Sequence, residues 1–206
     1  MKLAAASLVL GLVVFVLVGW AAGALWTSVV GSGELEAMHQ IAENRTAGLT
    51  TGARVVTWAG SALVLVPLAL ICCFGLIRAG LRWEAFAVAV SLGGAILISD
   101  AVKLLVSRPR PPVEHLQTVA GASFPSGHST QASAFWFSLV LALRAARVAP
   151  LLTRVAAGLA LLIVLAVAAS RVILGVHYPA DVIAGVLLGT GWAVFVAHCV
   201  RETAVK

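Results

Sequence analysis

Charge is what this sequence has least of. Asp, Glu, Lys and Arg make up 11% of its 206 residues, against about a quarter in an average soluble domain. That deficit excludes an ordinary soluble fold. Cysteine is scarce as well. Cys72, Cys73 and Cys199 lie inside apolar stretches, an odd number with two adjacent and no histidine at metal-ligand spacing. A disulfide framework and a zinc module are therefore excluded, and the three read as small core or lipid-facing residues. Tandem repeats and low-complexity tails are missing too. What the chain has instead is hydrocarbon: 61% hydrophobic residues and a mean hydropathy of +1.05.

The apolar residues fall in runs, several longer than the ~18 that read as a membrane span. Six segments can be drawn, at about 3–26, 54–78, 84–106, 128–146, 154–175 and 179–200. They predict an all-α polytopic membrane protein, a six-transmembrane-helix bundle forming one membrane domain over 1–206. The first run follows Lys2 as a signal peptide would, but it is too long for an h-region and lacks a clear small-residue cleavage site, so it reads as a retained helix. Residues 27–53 carry Glu34, Glu36, Glu43 and Asn44, a polar stretch long enough for a short surface helix. Residues 107–127 are rich in proline, which forbids a continued helix. The other links are short.

A net charge of +6 and a pI near 10.1 raise nucleic acid as a partner, and the position of the charges decides against it. With the N-terminus inside and six crossings, the inner face receives Lys2, Arg78, Arg82, Arg144, Arg147, Arg154, Arg201 and Lys206 against Glu84 and Glu202. On the outer face the cations Arg45, Arg54, Lys103, Arg108, Arg110 and Arg171 are matched by as many carboxylates. The whole excess lies on one side, as the positive-inside rule requires. This threading predicts a plasma-membrane protein with both termini cytoplasmic.

Four of the outer cations cluster at segment ends. "KLLVSRPRP" closes the third segment, with Lys103 and Arg110 seven residues apart. Pro109 is expected to end the helix, and Arg110 to fold back over it. Taken alone, these cations also fit snorkelling at an interface. "PSGH" opens the fourth segment: Pro125 marks where the chain comes in, Ser126 is a natural N-cap, and Gly127 lets the backbone approach an anion closely. The free N–H groups of such a helix end attract anions. Capping explains the serine but not His128. "SRVILGVHYPAD" spans the link between the fifth and sixth segments. Arg171 offers a planar fork for phosphate-like oxygens. His177 and Asp181 share a face if the sixth helix begins near His177, and a carboxylate on one imidazole nitrogen leaves the other free as a nucleophile. So many ionisable groups beside hydrocarbon are expensive unless they work together. Phosphoryl transfer needs this set: cations and N–H groups on the equatorial oxygens, an in-line nucleophile, and an acid for the leaving oxygen.

Together the three stretches resemble, in order and without departure, the signature motifs of the type 2 phosphatidic acid phosphatase superfamily, the lipid phosphate phosphatases. The pattern is Lys, six residues, Arg-Pro; then Pro-Ser-Gly-His; then Ser-Arg, five residues, His, three residues, Asp, over about 100–190. The resemblance implies that His177 is a nucleophile forming a phosphohistidine and that Asp181 orients it. It implies that His128 protonates the leaving group and then activates water, and that Lys103, Arg110, Ser126, Gly127 and Arg171 bind the phosphate. It implies no metal and no cofactor. The expected substrate is a lipid phosphate at the outer leaflet: a polyprenyl diphosphate, phosphatidylglycerol phosphate or phosphatidic acid. A lipid phosphotransferase of the same family is the main alternative. A vanadate-dependent haloperoxidase shares the anion-site pattern but is soluble, and an anion-binding transporter has no use for the His177–Asp181 pair with His128. Elsewhere, Asp100 reads as an intrahelical ion-pair partner of Lys103 or a residue that tunes it, and Glu114 and His115 as loop residues or an entrance. Arg108 reads as a contact to a second phosphate or a solvated interface residue. His39 and His198 read as non-catalytic. The sequence leaves the oligomeric state open.

Overall fold

The apolar runs fold as helices. The structure, a computed structural model, describes residues 2–29 and 31–204. In chain order the helices are α1 (Lys2–Val29), α2 (Gly31–Glu43), α3 (Ala47–Val56), α4 (Ala62–Arg78), α5 (Arg82–Val106), α6 (Gly127–Ala145), α7 (Pro150–Ile173) and α8 (Pro179–Ala204), with a 3₁₀ turn at Thr57–Gly60 between α3 and α4. Among the described residues there is no strand. Thr46, Ser61 and Ser126 cap α3, α4 and α6, each side-chain oxygen accepting from a backbone N–H two or three residues on. α5 stops at Val106, where the third segment was drawn to end, with Ser107 in the left-handed region at φ 49°, so the helix is over before Pro109.

Among the described residues, four helical stretches are long and apolar enough to cross a membrane: Ala5–Trp26, Arg82–Val106, Pro150–Ile173 and Pro179–Thr203. Ala47–Gly60 and Ala62–Arg78 meet at 45° and make a fifth if taken as one broken span. The run expected at 54–78 is thus not one straight helix, because Ser61 ends the 3₁₀ turn in an extended conformation and starts α4 as its cap. The polar link 27–53 is almost wholly helical, with α1 reaching Val29 before α2 and α3.

α6 stands at the centre, packed by α4, α5, α7 and α8. Its buried face carries Ser129, Thr130, Gln131, Ser133 and Ser138 beside Ala132, Ala134, Phe135 and Ala142. A helix wrapped by other helices needs little lipid-facing surface, so it can be this polar, and composition alone does not mark it as a span. The outer helices carry the opposite pattern. Leu63, Leu70, Ile71, Phe74, Leu104 and Leu162 are exposed apolar side chains of the kind that face acyl chains.

The contact between α6 and α8 is close because both faces are small. A Cβ on Gly185 would lie 2.7 Å from the Ser126 carbonyl oxygen, and one on Gly189 would collide with Ser133 Oγ and the Thr130 carbonyl. Small residues four apart let backbones approach in this way. Further down α8, Trp192 packs across Gly94 of α5 and donates Nε1 to the Val90 carbonyl at 3.2 Å. Phe15 of α1 meets it edge-on at 5.6 Å.

Candidate active site

α8 begins at Pro179, so His177 lies outside the helix, in the short link after α7. The His177–Asp181 pair therefore does not form across one helix face as the spacing predicts. Asp181 is the third helical residue, and its Oδ2 accepts the Tyr178 N–H at 2.9 Å. This is the returning half of a capping box, with Pro179 preset for the first turn. The same oxygen lies 3.5 Å from His177 Nδ1 and accepts a hydrogen bond from Ser123 Oγ. Both partners are buried, at 2% and 0% exposure. Burial pushes the His177 pKa down to about 4, Asp181 pulling against it while Arg171 and Arg110 push the same way. The ring is then neutral at physiological pH. With Nδ1 turned to the carboxylate, Nε2 keeps the lone pair.

Arg110 Nη1 lies 3.5 Å from that Nε2. The guanidinium is fixed by carbonyls on both sides: Val176 at 2.7 Å, Ala120 at 2.9 Å and Gly121 at 3.0 Å. Arg110 therefore folds back over the end of α5, as expected, and ties the loop 107–126 to the link after α7.

The N-terminus of α6 sits against these groups. Ser126 donates its N–H to the Asp181 carbonyl at 2.9 Å, while its Oγ caps the helix by accepting from the Ser129 N–H at 3.4 Å. Lys103 turns toward this end. A Cβ on Gly127 would stand 3.1 Å from Lys103 Nζ, so glycine leaves the ammonium close to the helix N–H groups. Asp100 is exposed and forms no direct ion pair with Lys103, which points into the bundle, but it stays within electrostatic reach of the ammonium. His128, half-buried in the first turn of α6, lies within electrostatic reach of Lys103, Arg110, Arg171 and His177.

Arg171, 1% exposed, donates Nη1 to Thr57 Oγ1 at 2.8 Å and Gln117 Oε1 at 2.5 Å. Its Nε is buried with no partner. An unpaired buried donor costs about 1–3 kcal/mol, and a guanidinium edge held this way is ready for an anionic oxygen. All eight residues expected at the site thus come together at one end of the bundle. Among the described residues, no three His, Cys, Asp or Glu side chains gather as a metal site.

Sequence reasoning missed the surrounding partners. Arg108 is neither a solvated residue nor free for a second phosphate. It is 8% exposed and pairs with Asp181 Oδ1 at 2.6 Å and Glu34 Oε2 at 2.7 Å. Ser123, Thr57 and Gln117 carry no motif. Glu34 had a signal: it stands on one stripe of α2 with Met38 and Ile41, at spacings of four and seven, and Met38 is fully buried. A carboxylate on an apolar stripe marks a buried partner. His115 bonds the Pro111 carbonyl at 2.9 Å through Nε2, and Glu114 is exposed.

With this geometry in place, three likenesses bear on it. The chain is 40% identical over 98 residues to a decaprenylphosphoryl-5-phosphoribose phosphatase of Mycobacterium tuberculosis, covering 45% of this chain and 48% of that protein. It is 31% identical over 140 residues to phosphatidylglycerophosphatase B of Bacillus subtilis, covering 65% and 66%. The matches thus span from about half to just under two thirds of these relatives' lengths. The crystal structure of a transmembrane PAP2-type phosphatidylglycerolphosphate phosphatase from Bacillus subtilis superposes with a TM-score of 0.79 at 26% identity, over 96% of each chain. The family model described as the PAP2 superfamily matches residues 84–204, which hold every residue of the site, and the chain belongs to that superfamily.

Proposed function

We propose that the chain is an integral-membrane lipid phosphate phosphatase working through a phosphohistidine. The observation that carries this is the buried His177, with Nδ1 facing Asp181 and Nε2 facing Arg110. The substrate phosphate binds between Lys103, Arg110, Arg171 and the α6 terminus, where Gly127 offers its N–H and Ser126 its hydroxyl proton, the Ser126 N–H being held by the Asp181 carbonyl. His177 Nε2 attacks phosphorus in line, the P–O bond to the leaving group breaks, and His128 gives that oxygen its proton. The ring now bears phosphate on Nε2 and a proton on Nδ1, a cation stabilised by Asp181. Neutral His128 then takes a proton from water as its oxygen attacks phosphorus, releasing phosphate and restoring His177.

The names of the relatives support a phosphate on a membrane lipid as the substrate. Polyprenyl diphosphate, phosphatidylglycerol phosphate and phosphatidic acid are the candidates. The chain is read as one membrane domain over 1–206. α1, the bent α3–α4 pair, α5, α6, α7 and α8 make six crossings, both termini lie in the cytoplasm, and the site faces the outer leaflet of the plasma membrane. The excess of Lys and Arg at the opposite end supports that orientation. Purified protein in detergent should release phosphate from at least one of the three lipids. A folded protein that releases it from none contradicts the reading.

A further inference from the structure

Glu34 lies outside every motif, on a helix that carries none of the proposed catalytic groups. It is nevertheless buried, with three donors on its carboxylate. Oε2 accepts from Trp26 Nε1 at 3.2 Å and Arg108 Nη2 at 2.7 Å, and Oε1 accepts the Ala180 N–H at 2.8 Å. Met38 and Ile41, on the same face of α2, pack against Val172 and Val182 and hold the helix in place.

Arg108 connects this carboxylate to the site. Nη1 reaches Asp181 Oδ1 at 2.6 Å while Nη2 holds Glu34, and the guanidinium lies 4.0 Å from the centre of the Tyr178 ring. Burial acts to lower the Arg108 pKa, but Asp181 and Glu34 outweigh it and hold the group above its usual value. Arg108 is thus a permanent cation on the carboxylate that must support a cationic His177. Alone, it would cancel much of the Asp181 field at the imidazole, because buried charges are weakly screened. Glu34 offsets it from the far side, leaving a row of alternating charge: His177, Asp181, Arg108, Glu34.

We infer that Glu34 is a positioning residue for phosphoryl transfer: it holds and neutralises Arg108, so that Asp181 keeps its full negative charge toward His177. The inference rests on reading His177 as the nucleophile. A purely structural role also exists, since the bond from the Ala180 N–H caps α8, and the test must separate the two.

Glu34→Gln keeps the size and the acceptor for Ala180 but removes the charge. The rate of phosphoenzyme formation and kcat should each fall on the order of tenfold, the effect of about one pKa unit of lost electrostatic support. KM should stay within about twofold, since Lys103, Arg110 and Arg171 are untouched. In an Arg108→Met background the same substitution should cost nothing further, or restore rate, because the cation it answers is gone. Wild-type kcat in Glu34→Gln overturns the inference. So does a second tenfold loss in the Arg108→Met background. If the double variant does not survive extraction, Glu34→Asp tests the same link: it keeps the charge and should retain more kcat than Glu34→Gln, and equal losses in the two overturn the inference. His177→Ala is measured in parallel. If that protein still forms a phosphoenzyme, the reading of the site fails, whatever Glu34 does.

Discussion

The Ser126 N–H donates to the Asp181 carbonyl at 2.9 Å. That single bond joins the N-termini of α6 and α8, and with them the second and third motifs. It forms only because the two helices approach closely enough for Gly185 to lie against the Ser126 carbonyl. Site geometry here depends on small residues on α8.

Gly189→Val should therefore destabilise the protein and weaken turnover together. Its side chain would drive into Ser133 Oγ and the Thr130 carbonyl, and overpacking of this kind costs about 1–3 kcal/mol. A Cβ at Gly158 on α7 meets nothing within 4 Å, so Gly158→Val should leave both unchanged. Thermal unfolding in detergent, followed by tryptophan fluorescence, compares the two. Equal midpoints would show that α6 and α8 are not held as described.

Arg171→Lys keeps the charge and removes the fork. Its single ammonium replaces both the Nη1 bonds to Thr57 and Gln117 and the unpaired Nε. We expect kcat/KM for phosphate release to fall by about 10²-fold or more, the size of losing one oxyanion donor. Near-normal turnover would make Arg171 an interfacial anchor only.

The depressed His177 pKa has a sign that can be measured. An unfolded histidine titrates near 6.5, and the folded one at about 4. The stability gained by burying the neutral ring is fully present above pH 6.5. It is lost as pH falls from there toward 4, since the unfolded chain takes up the proton first. Wild-type protein should lose thermal stability over that window more steeply than His177→Gln. Parallel curves would mean the ring titrates alike in both states.

Orientation is open to labelling. In a background lacking Cys72, Cys73 and Cys199, a cysteine at Thr118 should react with an impermeant thiol reagent applied to intact cells. One at Ala149 should not. Both positions are exposed, so access depends on the side of the membrane. The reverse pattern would sink the outer-leaflet site.

The residues proposed to form the phosphate site were legible because each motif is local. Ser126 and Gly127 sit at a helix start, Lys103 and Arg110 at a helix end, and His177 and Asp181 four residues apart. Their supports were not. Arg108 reaches Asp181 across 73 positions and Glu34 across 74, and Arg171 reaches Thr57 across 114. Such pairings are set by helix packing, which leaves little trace in local pattern. The bend at Ser61 was hidden for a related reason: hydropathy runs through it unchanged, and only the serine cap marks it.

In the proposed mechanism His177 carries the phosphoryl group. Wild-type protein, His177→Ala and His128→Ala are each quenched after brief exposure to a ³²P-labelled aryl phosphate, whose good leaving group needs little acid help. His177→Ala should take up no label and turn over nothing. His128→Ala should turn over about 10²–10⁴-fold more slowly yet hold label that acid removes and base does not. Label on His177→Ala, or none on His128→Ala, would contradict the assignment.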